Sequence, residues 1–218
     1  EFLLIYVETF TFLNAFKYIT FRTGLAFFTS LFIALLIGGP FIKLFSNKKI
    51  FNPIREDGPS DHIVKKIGTP TMGGIIILIG IIFSVILWAD LSNIYILFCL
   101  YIVASFGLLG AFDDYKKIRD TSSKGISSRL KILIQLFLAV LGLIVLTYFI
   151  EYDEFNNLYF PFFKNLFVNL SWFFVPFSVF VIVGSSNAVN LTDGLDGLAT
   201  VPVILVAGCF AFISYVTG

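Results

Sequence analysis

Residues 131–150 read KILIQLFLAVLGLIVLTYFI and decide the fold. A helix needs about 20 mainly apolar residues to cross the hydrocarbon core of a bilayer, and this run supplies them. Five further runs reach or approach that length, at residues 23–45, 73–89, 93–112, 171–189 and 198–217. The run at 73–89 is short unless Thr71 and Met72 begin it, and the run at 171–189 contains Pro176. We therefore predict an all-α, polytopic membrane protein with about six transmembrane helices in this chain.

Composition argues against a soluble protein. Apolar residues make up 58% of the 218 residues, charged residues make up 13%, and the mean hydropathy is +0.94. A soluble domain carries roughly 25% charged residues, so this chain could not cover a surface in contact with water. A net charge of +1 argues against a nucleic-acid-binding surface. Cys99 and Cys209 lie inside apolar runs, which argues against a disulfide framework or a zinc site.

The chain is predicted to form a single transmembrane domain over residues 1–218, without internal repeats or a soluble domain. Residues 1–20 mix charged and aromatic side chains and predict an amphipathic N-terminal segment rather than a span. Because the chain lacks an initiator Met and stops at Gly218 at the end of an apolar run, we expect it to be incomplete at its C-terminus.

Most Lys and Arg residues lie in two connections, between the first and second predicted spans and between the third and fourth. The connection between the second and third spans has no basic residue. Cytoplasmic loops carry an excess of Lys and Arg, so both basic connections are predicted to be cytoplasmic and the N-terminus outside. Three polar clusters then fall on the cytoplasmic face, at residues 55–74, 113–114 and 187–197. This arrangement is typical of an active site at a membrane surface.

Asp113 and Asp114 are adjacent carboxylates at the predicted end of the third span. Their repulsion and desolvation would be relieved by a divalent cation, a basic partner or a shared proton. The alternative is a pair of interfacial carboxylates neutralised by Lys116 and Lys117. A helix C-terminus disfavours anions, which favours the functional interpretation.

A second cluster recurs every three residues, at Asn187, Asn190, Asp193 and Asp196. This spacing keeps the side chains near one broad face of a helix, and polar groups at membrane depth require partners. The alternative is a polar contact between helices with an Asp-Gly turn at the end of the span. The cluster at residues 55–74 offers lysines that could pair with phosphate charge and a glycine-rich turn before a helix. Mg²⁺ suits carboxylate and phosphate oxygens, so the residues predict phosphoryl transfer at the membrane surface.

Four motifs carry a resemblance to a known family: REDGPSDH at 55–62, GTPTMGG at 68–74, FDDYK at 112–116 and NAVNLTDGLDGLA at 187–199. In order and spacing they resemble the phospho-N-acetylmuramoyl-pentapeptide transferase branch of the polyprenyl-phosphate N-acetylhexosamine-1-phosphate transferases. The resemblance implies Mg²⁺-dependent transfer of phospho-MurNAc-pentapeptide from UDP to undecaprenyl phosphate, giving lipid I and UMP in peptidoglycan synthesis. It further implies ten transmembrane helices, a homodimer and the bacterial cytoplasmic (inner) membrane.

By matching positions, the resemblance also implies residue roles. Asp113 and Asp114 match the essential carboxylates, with Asp113 as the expected base and both as expected metal ligands. The residues expected to bind the nucleotide sugar are Asn187, Asn190, Asp193 and Asp196. A third aspartate, the expected main magnesium ligand, and a histidine-rich loop would both follow Gly218. We therefore expect this fragment alone to be inactive.

Thr71 and a lysine match the turn that lies near the phosphates. Counting back from Thr69 places the lysine at Lys66, whereas counting forward from His62 places it at Lys65. We choose Lys66 because the rigid Pro-Gly turn is the better reference.

Three other functions remain open at this point. Another branch of the superfamily would transfer GlcNAc-1-phosphate. A secondary transporter would also place carboxylates within the membrane, although the polar clusters here lie at one face rather than at the bilayer centre. A structural scaffold would carry the motifs without using them.

Overall fold

The computed structural model describes residues 11–48, 71–120, 125–150, 156–160, 163, 166–193 and 198–217. Six α-helices occupy these residues: α1 Ile19–Asn47, α2 Gly74–Trp88, α3 Ile94–Arg119, α4 Ser128–Phe149, α5 Phe174–Thr192 and α6 Thr200–Thr217. Short 3₁₀ helices precede α1 at Thr11–Lys17 and α5 at Ser171–Phe173. Each of the six predicted runs has therefore become a helix, and the prediction of an all-α polytopic membrane protein is confirmed.

Five helical segments of the described chain are long and apolar enough to cross a membrane; they are α1, α3, α4, α6 and Ser171–Thr192, which contains α5. The exception is α2, whose 15 residues extend about 22 Å at 1.5 Å per residue. Thr71 and Met72 do not lengthen it, because Met72 has a φ of 67°, a left-handed conformation that a right-handed helix cannot include.

The end of α3 differs most from the prediction. The apolar run stops at residue 112, but the helix continues through Asp113 and Asp114 to Arg119. Lys116, Lys117 and Arg119 occupy its last turn, where cations complement the helix dipole. The helix therefore ends seven residues beyond the predicted span. The acidic pair lies inside the helix, so the argument from an anion at a helix C-terminus no longer applies.

Pro176 does not interrupt the predicted span at 171–189. It is the third residue of α5, in the first turn, where no intrahelical partner exists for a backbone N–H. Residues 11–17 of the predicted N-terminal segment form a 3₁₀ helix, and residues 1–10 lie outside the described residues. The amphipathic character of residues 1–20 stays a prediction.

The chain divides into two compact units, Glu1–Leu133 and Ile134–Gly218. In the first unit, α1 packs against α2: the Trp88 indole N–H donates to the Thr29 hydroxyl at 2.9 Å. A Cβ on Gly80 would lie 3.2 Å from the backbone oxygen of Ser30. Small residues of this kind allow two membrane helices to approach closely. That residues 1–218 form a single domain stays a prediction.

In the second unit, α4 has one buried face, and its buried residues are Gln135, Ala139, Gly142, Leu143 and Leu146. Their spacing of three and four residues is that of a single helix face. A two-stranded antiparallel hairpin, β1 Asn157–Tyr159 and β2 Phe167–Asn169, precedes the second 3₁₀ helix. The sequence did not predict this hairpin.

Candidate active site

Asp113 and Asp114 lie on α3, six and five residues before its last residue, Arg119. The side chain of Asp113 is 10% exposed, whereas that of Asp114 is 35% exposed. Successive residues of an α-helix differ by about 100° in direction, so two adjacent carboxylates meet different surroundings. The pair therefore consists of one buried and one partly exposed carboxylate.

Lys117 bridges the two carboxylates. Its Nζ lies 2.8 Å from Oδ2 of Asp113 and 3.0 Å from Oδ1 of Asp114. Positions i, i+4 and i, i+3 lie on the same side of a helix, so one lysine reaches both acids. Among the described residues, Lys116 makes no ion pair with either of them. Of Lys116 and Lys117, Lys117 is therefore the basic partner of the pair.

Two further groups hold Asp113. The backbone N–H of Ile126 donates to Oδ1 of Asp113 at 2.7 Å, and Nζ of Lys131 lies 4.0 Å from its Oδ2. Ile126 is itself buried, and Gly125 before it has a φ of +55°. Both oxygens of Asp113 are therefore engaged by groups of the same unit.

The charges of this cluster balance, because two carboxylates face the ammonium groups of Lys117 and Lys131. Within the described ranges, no group of three or more His, Cys, Asp or Glu residues is arranged to hold a metal ion. Asp114 has one recorded hydrogen bond there, through Oδ1, and its side chain is the more accessible of the pair. A hard cation that keeps several waters and binds through one or two carboxylates would fit this donor, with further oxygens from a phosphate.

The α5 cluster contains two kinds of residue. The Asn187 amide donates to Oε1 of Gln135 and to the Val183 backbone oxygen, at 2.8 Å in each case. Asn190 and Asp193, by contrast, are exposed, and no side-chain hydrogen bond of either is recorded within the described chain. Asn187 thus joins α5 to α4, which is the polar helix contact weighed as an alternative, whereas Asn190 and Asp193 are available to a ligand.

The remaining predicted residues fall at the edges of the described chain. Thr71 is buried just before α2, next to the left-handed Met72. Lys65, Lys66 and Asp196 lie outside the described residues. The structure brings together Asp113 and Asp114 in the first unit; in the second it places Asn187 and Asn190 on α5 and Asp193 directly after that helix. The meeting of the three clusters in one site stays a prediction.

Sequence reasoning missed several residues of these clusters. Lys117 was considered only as a neutralising charge, although its i, i+3 and i, i+4 positions could have indicated a bridge. Gln135 could have been noticed as the one amide within a run of apolar residues. Gly125 and Lys131 carried no sequence signal that separates them from ordinary loop and positive-inside residues.

Comparison with known proteins agrees with these features. The model of glycosyl transferase family 4 matches residues 94–218, which include α3 to α6. The phospho-N-acetylmuramoyl-pentapeptide-transferase signature 1 matches residues 66–78. A curated relative, phospho-N-acetylmuramoyl-pentapeptide-transferase of Pelagibacter ubique (strain HTCC1062), is 66% identical over 212 residues, which are 97% of this chain and 59% of the relative. The chain thus spans about three fifths of that relative, and it belongs to glycosyl transferase family 4.

Proposed function

We propose that the chain is part of a Mg²⁺-dependent transferase that moves phospho-MurNAc-pentapeptide from UDP-MurNAc-pentapeptide to undecaprenyl phosphate, giving lipid I and UMP. The family match, the signature over residues 66–78 and the name of the 66% identical relative support this substrate pair. The observation that carries the proposal is the acidic pair of α3, one carboxylate fixed and one accessible, bridged by Lys117. The activity is proposed for the full gene product, because the chain spans 59% of the relative.

In the proposed reaction, an oxygen of undecaprenyl phosphate forms a bond to the sugar-linked phosphorus of the UDP-sugar. The bond between that phosphorus and the oxygen of UMP breaks, and UMP leaves with the electron pair. A proton of the lipid phosphate, where one is present, passes to a carboxylate of the protein. Most of the catalysis of such a transfer comes from positioning and from charge stabilisation.

The contacts of the acidic pair support a division of labour. Asp113 is the proposed base, since the Ile126 N–H fixes its Oδ1 and its Oδ2 is held only by lysine ammonium groups. An incoming phosphate would compete with Asp113 for the ammonium group of Lys117. Movement of Lys117 to the phosphate would release Oδ2 of Asp113 to accept a proton. Asp114 is the proposed magnesium ligand, with Asp113 beside it. Bound Mg²⁺ would supply charge neutralisation for the phosphate oxygens.

The exposed end of α5 is proposed to bind the nucleotide sugar. Asn190 and Asp193 offer an exposed amide and an exposed carboxylate, and Asp196 follows three residues later in the sequence. Asn187 supports this surface through its bond to Gln135. Thr71 and Lys66 are proposed to contact phosphate at the turn before α2.

The distribution of basic residues supports an orientation for the whole chain. The α3–α4 connection carries most of the positive charge near the acidic pair, so the proposed active site faces the cytoplasm and the N-terminus lies outside. The proposed membrane is the bacterial cytoplasmic (inner) membrane. A homodimer is proposed from the family resemblance alone.

The test is an assay of the purified full gene product in detergent for UMP release. UDP-MurNAc-pentapeptide and undecaprenyl phosphate are supplied together and singly, with Mg²⁺ and with EDTA. Release that requires both substrates and the metal is the expected result. Release from UDP-GlcNAc instead would change the branch of the superfamily. If a folded protein releases no UMP with either donor but carries substrate into proteoliposomes, the proposal is contradicted in favour of a transporter.

A further inference from the structure

Among the described residues that follow α3, Ile126 forms a hydrogen bond back to the helix. Ile126 is buried, and its backbone N–H donates to Oδ1 of Asp113 at 2.7 Å, thirteen residues earlier in the chain. We call this hydrogen bond the latch. It fixes one oxygen of a carboxylate whose other oxygen faces Lys117 at 2.8 Å and Lys131 at 4.0 Å.

Gly125 is the residue that permits the latch. Its φ of +55° lies in the left-handed region, which an L side chain rarely adopts. A Cβ at this position would collide with Oδ1 of Asp113, and it would lie 2.9 Å from Cε of Lys117 and 3.1 Å from Cγ of Asp113. Backbone conformation and available space therefore independently demand glycine at the same residue.

The colliding atoms belong to the two side chains that the proposed reaction uses. A Cβ on Gly125 could be accommodated by the flexible end of Lys117, but the carboxylate of Asp113 has no such freedom while the latch is closed. Substitution must therefore either open the latch or rotate Asp113 away from Lys117. Both outcomes change the geometry of the acidic pair without removing any charge.

We propose that Gly125 is a positioning residue of the acidic pair: by lacking a side chain, it lets the Ile126 N–H close on Asp113 and orient that carboxylate toward Lys117. The inference rests on the proposed function only for its effect on turnover. The latch itself is a property of the fold and is testable without any substrate.

Hydrogen exchange tests the latch directly. The full gene product in detergent is exchanged into D₂O, and the amide of Ile126 is followed by mass spectrometry with fragmentation. We expect the Ile126 amide to exchange at least about tenfold more slowly in the wild type than in Gly125→Ala or Asp113→Ala. Asp113→Asn keeps an oxygen that accepts a hydrogen bond, so it should keep most of the protection. Equal exchange in the wild type and Asp113→Ala would overturn the latch.

Steady-state kinetics test the positioning role. Gly125→Ala should lower kcat for UMP release roughly 100-fold, as expected for misplaced catalytic groups, with the KM for UDP-MurNAc-pentapeptide changed less than about threefold. Gly39→Ala in α1, where a Cβ meets nothing within 4 Å, is the matched control and should retain wild-type kcat. An open latch in Gly125→Ala with unchanged kcat would contradict the positioning role. A wild type that releases no UMP would refute the proposed function, while the exchange experiment would still decide the latch.

Discussion

The acidic pair of α3 and the polar end of α5 look alike in sequence but differ in their surroundings. Asp113 accepts from a backbone N–H and faces two lysines, and Asp114 shares one of those lysines. Asn190 and Asp193 are exposed, without a recorded side-chain hydrogen bond in the described residues. One region is arranged before any ligand arrives, and the other presents groups to solvent.

This difference indicates that the two regions have different functions. Groups that act on a reacting atom gain from being held in place beforehand, since reorganisation at the moment of reaction costs rate. Groups that capture a polar ligand need accessible donors and acceptors, and the ligand itself supplies the missing partners. We therefore expect substitutions in the α3 pair to change turnover and substitutions at the α5 end to change binding.

The largest effect is expected from Asp113→Asn. Removing this charge should lower kcat by roughly 10²–10⁴-fold, the range for general acid–base catalysis, with little change in nucleotide-sugar affinity. UMP release and isothermal titration with UDP-MurNAc-pentapeptide measure the two quantities. Asp120→Asn, the same change at the exposed end of α3 beside Arg119, is the control and should behave as the wild type. Equal losses in kcat and affinity would break the distinction between the two regions.

Asp193→Ala should act in the opposite way. A hydrogen bond to a charged group contributes about 1.5–3 kcal/mol, so its loss should weaken UDP-sugar binding by roughly 10–100-fold. Titration of the variant with the nucleotide sugar checks the affinity, and saturating assays check that kcat falls much less. Asp90→Ala, an acidic residue in the α2–α3 turn, should leave the affinity unchanged. If Asp193→Ala binds normally and fails only in turnover, the α5 end belongs with the acidic pair.

The hydrogen bond between Asn187 and Gln135 tests which polar residues of α5 serve helix packing and which are available to substrate. Leucine at either position removes this hydrogen bond, and such bonds between membrane helices contribute about 1 kcal/mol. We expect Asn187→Leu and Gln135→Leu each to destabilise the protein by about that amount, and the double variant to cost less than their sum. Thermal unfolding in detergent measures this cycle. Additive losses would show that Asn187 acts elsewhere, for instance on substrate.

The smallest effect is expected at the turn between α2 and α3, outside both regions. The Ser92 hydroxyl and backbone N–H bond to Asp90 and hold the pKa of its carboxyl below the usual value. A carboxyl with a lowered folded-state pKa stabilises the fold at neutral pH, and this contribution is lost as the pH falls through that pKa. Ser92→Ala should therefore melt slightly below the wild type at pH 7, and the difference should shrink under strongly acidic conditions. A difference that grows in acid would contradict this account.

Local patterns predicted much of the fold. The six apolar runs form six helices, because an apolar run within a bilayer can satisfy its own backbone hydrogen bonds only as a helix. The end of α3 was missed because the apolar pattern stops at residue 112, while helix propensity and charge complementarity continue to Arg119. The short hairpin was missed because its three-residue strands leave almost no periodic signal.

The sequence by itself determined the membrane class, the six α-helices of the described residues and the residues with which a site is proposed. Each follows from composition, length or short motifs, which are properties of neighbouring residues. Only the tertiary structure decided the partners of polar groups that lie far apart in the chain: Gln135 for Asn187 and Ile126 for Asp113. Asn187 and Gln135 are 52 positions apart, and the distance between such residues is set when helices and connections pack around groups that must not remain unpaired.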